Sequence, residues 1–315
     1  MSPQIRDQPI LTETHDLASF VPEPGSTYVF GTSGEERSAH SSDWESRAKD
    51  VRFVRITEQQ TSFFTVEKDE NHVQLRSLEQ LQRFWQQIRV GTIYLDITGL
   101  SHHVWAPLLR TGLVETKRLI IVYVEPGSYR FSLTPTEGEI FDLSERIIGI
   151  SPLPGFASLT DPSDEDFCFV PLLGFEGTRL AYVLENVQPT GGKIIPVIGV
   201  PGFEPQYPFY TYHGNRLPLS ETRAWRNVRF AKANCPFSLF HTLQQIAQEY
   251  PRDTLKIAPI GTKPHALGAV LYTLASSTPV ELVYDHPIRK ALRTSGTARL
   301  LLYHVSVLPL AGVRR

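Results

Sequence analysis

Short apolar runs rich in β-branched residues recur along this chain, and they constrain its fold more than any other feature. Each ends at or near Gly, Pro or Asp, and few show the apolar and polar alternation of a half-exposed strand. Such runs are typical of strands buried on both faces of a parallel sheet. The clearest lie at 27–30, 51–54, 92–95, 119–124, 147–150, 181–184, 194–198, 255–260, 280–284 and 300–305.

Helical spacing of apolar residues appears between several of these runs, at 78–88, 101–111, 238–250 and 266–275. The alternation of strands and helices predicts an α/β fold, with a Rossmann-like, mostly parallel, doubly wound sheet. Two smaller α/β lobes would produce the same linear pattern. The 24 prolines and 21 glycines favour many short elements over a helical bundle.

Composition divides the chain into three parts. Residues 1–150 are predicted to form a Rossmann-like N-terminal half, and 181–315 a second α/β half. Between them, 151–180 is an acidic, proline-rich connection centred on Asp161 to Asp166. It is either a domain boundary or a long surface loop within one sheet. In the second half, the Pro-, Tyr- and Arg-rich stretch 200–233 is predicted to be a long loop, and such loops are often functional.

Charge and cysteine content exclude several classes of protein. A formal net charge of −2 gives no chain-wide basic field for nucleic acid, although a local basic cleft is compatible with it. Cys168 and Cys235 belong to no CxxC or Cys/His cluster, so we expect no disulfide scaffold and no zinc site. We also expect no cofactor. No secretory signal or apolar run of about 18 residues is present, so we expect a cytoplasmic protein without membrane contact.

Glycine and hydroxyl residues follow the predicted strands, at the edge where α/β sheets bind ligands. The candidate ligand-binding residues are Gly31, Thr32, Ser33, Gly34, Thr98, Gly99, Gly261, Thr262 and Lys263. Two acidic residues, Glu35 and Glu36, follow the first loop, and they would repel a phosphate unless they turn away or pair with Arg37.

The segment from Gly261 to His265 is the strongest of these loops. Gly261 permits a tight turn, and Pro264 has the φ angle that suits the first turn of a helix. Free backbone N–H groups at that helix start, together with Lys263, would bind a phosphate or another anion. The alternative is a plain strand-to-helix turn with an exposed lysine. The spacing is not that of a P-loop.

A Ser/Thr loop after the first strand and a Gly-Thr-Lys after a late strand resemble the CRISPR-associated Rossmann fold family of nucleotide sensors. In that family these loops line a pocket for cyclic oligonucleotides, often at a dimer interface, and some members cleave the ligand. The resemblance implies that Thr32 or Ser33, with Thr262 and Lys263, contact a nucleotide. It also implies an oligomer with a role in antiviral defence. The usual Gly-Gly before Thr-Lys is Ile260-Gly261 here.

An enzyme is the first alternative function. Lys263 and His265 are the candidate catalytic residues of a hydrolase or nuclease-like reaction on a nucleotide or phosphate ester. The candidate acid/base groups are Asp96, His103, Asp285 and His286. In the structural interpretation, Asp96 caps a helix and His286 is a turn residue. The spacing fits no known metal motif, so we expect no metal site.

Two basic segments lie in the second half of the chain. Arg223, Arg226, Arg229 and Lys232, interleaved with aromatic residues, predict contact with nucleic acid. Alternatively the 200–233 stretch docks a protein partner, which would make the chain a non-catalytic subunit, or is a solvated loop. The second basic segment contains Arg289, Lys290 and Arg293. If the segments converge, the balanced net charge conceals a positive cleft.

Overall fold

The computed structural model describes residues 11–67, 69–136, 139–157 and 166–308, and it shows a mixed α/β chain with two main sheets. The strands are β1 (Thr12–His15), β2 (Thr27–Gly31), β3 (Arg52–Gln59), β4 (Phe63–Val66), β5 (Asp69–Gln74), β6 (Ile93–Asp96), β7 (Leu119–Tyr129), β8 (Phe131–Thr136), β9 (Glu139–Phe141), β10 (Ser144–Ile147), β11 (Phe167–Leu172), β12 (Val197–Gly199), β13 (Arg229–Ala231), β14 (Thr254–Pro259), β15 (Val280–Leu282), β16 (Pro287–Arg289) and β17 (Thr294–His304). The helices are α1 (Ser41–Arg47), α2 (Leu78–Ile88), α3 (His102–Glu115), α4 (Gly177–Val187), α5 (Tyr207–Gly214), α6 (Arg216–Glu221), α7 (Pro236–Glu249) and α8 (Lys263–Ala275), with short 3-10 helices at Glu36–Ser38, Gly191–Lys193, Ala224–Asn227 and Val305–Val307.

The first sheet has eight strands in the order β1-β17-β7-β6-β2-β3-β4-β5. Its four central strands, from β7 to β3, are parallel. Antiparallel strands extend both edges, with β17 and β1 beside β7, and β4 and β5 beside β3. The last long strand of the chain therefore belongs to the sheet that the N-terminal part begins.

The second sheet has five strands in the order β13-β12-β11-β14-β15, and all of its pairings are parallel. Two small antiparallel pairs, β8 with β9 and β10 with β16, lie outside the main sheets. One buried apolar cluster contains Leu95 and Trp105 from the first half together with Leu267 and Leu271 of α8. The helices between the sheets therefore pack into a shared core.

Local sequence explains the helices that position the candidate site. In α2, the buried residues Leu81, Phe84, Trp85 and Ile88 follow the three- and four-residue spacing of one helix face. In α8, Thr262 is the N-cap, and its hydroxyl accepts a hydrogen bond from the backbone N–H of residue 265. Pro264 occupies the first turn, as the sequence predicts.

Several sequence-based predictions differ from the observed elements. The run 181–184 is part of helix α4 rather than a strand, because Leu180 and Val183 are buried on one helix face and a short apolar run does not separate the two structures. The stretch 200–233 contains α5, α6, a 3-10 helix and β13 rather than one long loop. Sheet membership does not change at 150 or 181, since β11 belongs to the second sheet and β17 to the first. Residues 158–165, which include most of the predicted acidic centre, lie outside the described residues.

Candidate functional site

The carboxyl ends of the two sheets face each other. In the first sheet, β2 lies between β3 and β6, and in the second, β11 lies between β12 and β14. Where the connections that follow two neighbouring parallel strands run to opposite faces of a sheet, a crevice forms at the carboxyl ends of those strands. The loop after β14 contacts the loop after β6 directly through Lys263. The two crevices are therefore adjacent.

A cavity of about 70 Å³, here called the basic cavity, lies between these edges. That volume holds several water molecules or one phosphate group before any side chain moves. Its wall contains five cationic side chains and one carboxylate, Glu176. The cationic residues are Arg37, Arg179, Lys263, Arg289 and Arg293. The wall is therefore strongly positive.

Glu35 lies behind this wall and accepts three hydrogen bonds. Its Oε2 accepts from Arg37 Nε at 2.7 Å and from the Thr294 hydroxyl at 2.9 Å, and its Oε1 accepts from Arg293 Nε at 2.8 Å. Burial opposes ionisation, but the two guanidinium groups hold the pKa of Glu35 well below its usual value. Burial and repulsion by Arg289 lower the pKa of Arg293 to about 10. One carboxylate thus compensates two buried arginines.

The other carboxylates near the cavity are fully engaged. Asp285 accepts two hydrogen bonds from Arg179, at 2.6 and 2.7 Å, in a bidentate ion pair. The remaining Arg179 Nη1 donates to the Ile260 carbonyl at 2.9 Å. Glu176 accepts from the backbone N–H groups of residues 143 and 144. These groups fix the wall, and they leave its positive charge in excess.

Arg289 is the arginine of the wall that has no carboxylate partner among the described residues. It is half-buried and lies close enough to the Tyr284 hydroxyl to donate a hydrogen bond. It also lines a second pocket, the first-sheet pocket, which has a volume of about 400 Å³. That pocket is lined by Thr32, Ser33, Gln59, Gln60, Thr61, Gly99, Ser101, His102, His103, Ile148, Tyr284, His286, Pro287, Ile288 and Arg289. Arg289 therefore separates the two spaces.

Lys263 acts as a clamp between the sheets. Its ammonium donates to the carbonyls of Ile97, Thr98 and Leu100 at 2.7, 2.6 and 2.9 Å. Burial and the nearby Arg289 lower the pKa of this ammonium, whereas the carbonyls favour its charged form. All three N–H donors are used, so only the rest of the side chain is available to the basic cavity.

Aromatic rings form the other side of the basic cavity. The rings of Tyr129, Phe175 and Tyr207 contact one another edge to face, with centroids 5.2 to 5.7 Å apart. Tyr123 and Phe203 line the same space, with centroids 6.2 Å apart. A positive wall opposite aromatic rings suits a compound with both a phosphate and a planar ring.

The predicted ligand-binding residues divide between the two spaces. Gly261, Thr262 and Lys263 line the basic cavity, whereas Thr32, Ser33 and Gly99 line the first-sheet pocket. Gly31, Gly34 and Thr98 line neither space. A Cβ atom at Gly99 would lie 1.7 Å from the Gly31 carbonyl, and one at Gly261 would lie 2.6 Å from the Leu173 carbonyl. At both positions, another backbone segment lies too close to leave room for a side chain.

The predicted acid/base residues are also separated. Asp285 is in the Arg179 ion pair, and His103 and His286 line the first-sheet pocket. His265 is buried in α8, where its Nε2 lies 3.1 Å from the Lys232 carbonyl, and it lines neither space. Burial lowers the pKa of His265 to about 4. The structure thus does not bring His265 together with the Lys263 ammonium at one cavity.

Asp96 belongs to a buried network behind the basic cavity. Its carboxylate lies 3.0 Å from His40 Nε2 and accepts from the Tyr28 hydroxyl at 2.8 Å. The other ring nitrogen of His40 lies 2.8 Å from the Arg37 carbonyl. Asp96 and the Arg37 carbonyl are both acceptors and favour the imidazolium form of His40, although Nε2 also lies 3.1 Å from the Tyr28 hydroxyl. Burial opposes this charge, but Asp96 raises the pKa of His40 above its ordinary value.

This network predicts a pH dependence of stability. A histidine whose pKa is higher in the folded than in the unfolded state stabilises the fold. Its full contribution is present below the unfolded pKa of about 6.5, and it is lost as pH rises through the folded pKa. We expect the free energy of unfolding to fall as pH rises above about 6.5, and to fall more steeply in the wild type than in His40→Gln, as measured by urea denaturation. His241→Gln, an exposed change on α7, should follow the wild type. If the free energy of unfolding has the same pH dependence in His40→Gln and in the wild type, the assignment of a raised pKa to His40 is wrong.

The basic segment around Arg226 lies away from both spaces. Arg226 stacks over the Trp225 ring at 5.2 Å, and Arg229 pairs with Glu249 at 2.8 Å. None of the four residues predicted to contact nucleic acid lines the basic cavity or the first-sheet pocket. In the second basic segment, Arg289 and Arg293 line the cavity, whereas Lys290 pairs with Asp142.

Arg37 and Arg179 line the basic cavity, but the sequence analysis does not select them as ligand contacts. Arg179 follows β11, and the strand-end rule points to it only once 167–172 is known to be a strand. Arg37 appears in the sequence analysis only as a partner for the neighbouring acids. Its place in the cavity wall depends on the packing of the Glu36–Ser38 turn against β7.

Comparison with protein-family models and with curated protein sequences gave no match to this chain. Among the described residues, no group of three or more His, Cys, Asp or Glu side chains is placed to hold a metal ion. In the same part of the chain, no helix has the length and apolar character needed to cross a bilayer. The geometry of the site is therefore the basis for assigning a function.

Proposed function

We propose that this chain is a Rossmann-like protein with two α/β lobes that binds a nucleotide, with a phosphate group in the basic cavity. The observation that carries the proposal is the excess of cationic side chains in an enclosed wall. Five cations line the cavity, and the carboxylates that approach it, Glu35, Glu176 and Asp285, leave that excess in place. Buried charge of this kind is costly unless an anion compensates it.

The aromatic side of the cavity supports a nucleotide over free phosphate. Tyr129, Phe175 and Tyr207 lie next to the positive wall, and a base or ribose can pack against them while the phosphate contacts Arg289 and Arg293. The cavity holds little more than a phosphate as it stands, so the base must extend toward these rings or displace one. The resemblance to the CRISPR-associated Rossmann fold family adds that the ligand is a nucleotide signal in bacterial defence. The cytoplasmic location is proposed from the cysteine content and the N-terminal sequence.

Binding has more support than catalysis. Asp96 and Asp285 are held in ion pairs, the Lys263 ammonium is saturated by carbonyls, and His265 lines neither space. The hydrolase or nuclease-like alternative would need these contacts to break before Asp96, Asp285 or the Lys263 ammonium could reach a ligand, which leaves only His103 and His286 at the first-sheet pocket. General acid or base catalysis requires the group within hydrogen-bond reach of the proton that it transfers.

A second candidate function is supported by the surface of α5 and α6. Tyr212 of α5 and Leu217 of α6 are exposed and line one pocket together with Trp225 of the 3-10 helix at Ala224–Asn227. Large apolar side chains grouped on a surface mark interaction sites. The roles predicted for the 200–233 stretch, docking of a protein partner or of nucleic acid, are therefore proposed for this surface.

Calorimetry with a panel of mono-, di- and cyclic nucleotides and a single-stranded oligonucleotide tests the proposal. We expect at least one nucleotide to bind, and Arg289→Gln to weaken that binding by roughly 10- to 100-fold, the effect of losing one hydrogen bond to a charged group. Arg289 has no ion pair among the described residues, so this change should cost little stability.

Arg226→Gln is the matched control, because Arg226 is exposed and lies outside both spaces. It should leave nucleotide affinity unchanged. Weaker oligonucleotide binding in Arg226→Gln alone would favour the surface of α5 and α6. A panel in which no nucleotide binds, or in which Arg289→Gln binds as the wild type does, would overturn the proposal.

A further inference from the structure

The first-sheet pocket contains polar groups that the basic cavity does not use. It lies where β2 and β6 end, and Arg289 borders both spaces. No aspartate or glutamate is among the described residues that line it. The pocket is therefore positive and hydrogen-bonding, with no carboxylate to neutralise it.

His102 presents an unused donor in this pocket. Its side chain is 2% exposed, and its Nδ1 lies 3.1 Å from the Tyr284 hydroxyl. Arg289 can only donate, so the Tyr284 oxygen accepts from it, and the Tyr284 proton is free to point to His102 Nδ1. In that tautomer the ring proton of His102 is on Nε2, and Nε2 has no hydrogen-bond partner among the described residues. A buried donor without an acceptor is costly.

The start of α3 provides further donors in the same place. The helix spans His102–Glu115, and its N-cap, Ser101, makes no side-chain capping hydrogen bond. The Val104 N–H donates to the Ser101 carbonyl, whereas the N–H groups of residues 102 and 103, at the positive end of the helix dipole, have no capping side chain. The neighbouring His103 also lines the pocket, where its ring is close to the main chain of Gln59 and Gln60.

We propose that the first-sheet pocket binds a second phosphate group, held by His102, the first turn of α3 and Arg289. The proposal rests on the proposed function for the identity of the anion. It extends that function to ligands whose phosphate groups lie on both sides of Arg289. The volume of about 400 Å³ also accommodates the group that carries the phosphate.

Electrostatics around the histidines agree with an anion in the pocket. Burial, followed by Arg289, Lys263 and Arg179, keeps the pKa of His102 well below its usual value. Burial and His286 lower the pKa of His103 to about 4. A phosphate would offset these positive charges and raise both pKa values, so binding should take up protons and strengthen as pH falls.

The test is a titration of the full chain with inorganic phosphate, followed by NMR of the imidazole groups of His102 and His103 and of the Arg293 guanidinium. We expect the imidazole signals to shift to saturation, and their titration to move to higher pH. His102→Gln should weaken phosphate binding in this pocket by roughly tenfold and leave the Arg293 response unchanged. His241, exposed on α7, serves as the reference signal.

The imidazole signals report the first-sheet pocket and the Arg293 signal reports the basic cavity, so the two sites are tested independently. If Arg293 responds while His102 and His103 do not, the second phosphate site is overturned and the basic cavity stands. If only the histidines respond, the first-sheet pocket stands and the basic cavity does not. Should His102→Gln fail to fold, the wild-type titration and His103→Gln, which lies at the pocket edge, give the same decision.

Discussion

Glu35→Gln is expected to destabilise the fold by about 3–5 kcal/mol, the usual cost of removing one partner from a buried ion pair. Glu35 accepts from Arg37, Arg293 and Thr294, and both guanidinium groups are buried. The amide cannot compensate two positive charges, and its NH₂ group faces donors. Urea denaturation of the wild type and variant measures the difference.

Glu36→Gln is the matched control, because Glu36 is the next residue and is exposed, although it accepts one hydrogen bond from the Gly296 backbone. It should change stability by less than about 1 kcal/mol. Phosphate in the buffer should stabilise Glu35→Gln more than the wild type, since an anion in the basic cavity replaces the missing charge. If Glu35→Gln is as stable as the wild type without phosphate, the buried arginines need no carboxylate partner and the prediction is wrong.

Local backbone chemistry explains which parts of the site the sequence could predict. Gly99 and Gly261 are predicted from the strands that end near them, and each is held by backbone contact that excludes a side chain. The Thr262 cap and Pro264 at the start of α8 follow from the same local rules. Residues within such turns need only their neighbours along the chain to adopt the predicted structure.

Residues that meet through tertiary packing could not be predicted in this way. Arg37, Arg179 and Arg293 come from three distant segments, and only the closure of two sheets brings them into one wall. The antiparallel position of β17 beside β7 is likewise absent from local periodicity, because a buried strand has the same pattern in either direction. Net charge near zero conceals this arrangement, since the compensating acids lie elsewhere in the chain.

Lys263 is a further residue whose contacts depend on tertiary packing and could not be predicted from the sequence. The sequence predicts a phosphate contact, because a lysine at a helix start after Gly-Thr is typical of an anion site. The groups that bind its ammonium are three main-chain carbonyls of the β6 loop, which no side-chain pattern reveals. These three contacts make Lys263 a clamp between the sheets, where the sequence predicts a ligand contact.

Lys263→Met separates these two roles. Methionine keeps much of the side-chain volume but leaves the carbonyls of residues 97, 98 and 100 without their donor, at about 1 kcal/mol each. We expect a loss of about 3 kcal/mol in the free energy of unfolding. Nucleotide affinity, measured by calorimetry at a temperature where the variant is folded, should change by less than about threefold, because the ammonium does not face the phosphate.

Lys290→Met provides the comparison, since Lys290 pairs with Asp142 and the two side chains are 41% and 46% exposed. It should cost less than about 1 kcal/mol, because a solvent-accessible ion pair contributes little. A ligand contact would give the opposite result for Lys263→Met, with nearly wild-type stability and an affinity reduced by roughly tenfold or more. The stability and affinity of this one variant therefore decide whether Lys263 joins the two sheets or binds the ligand.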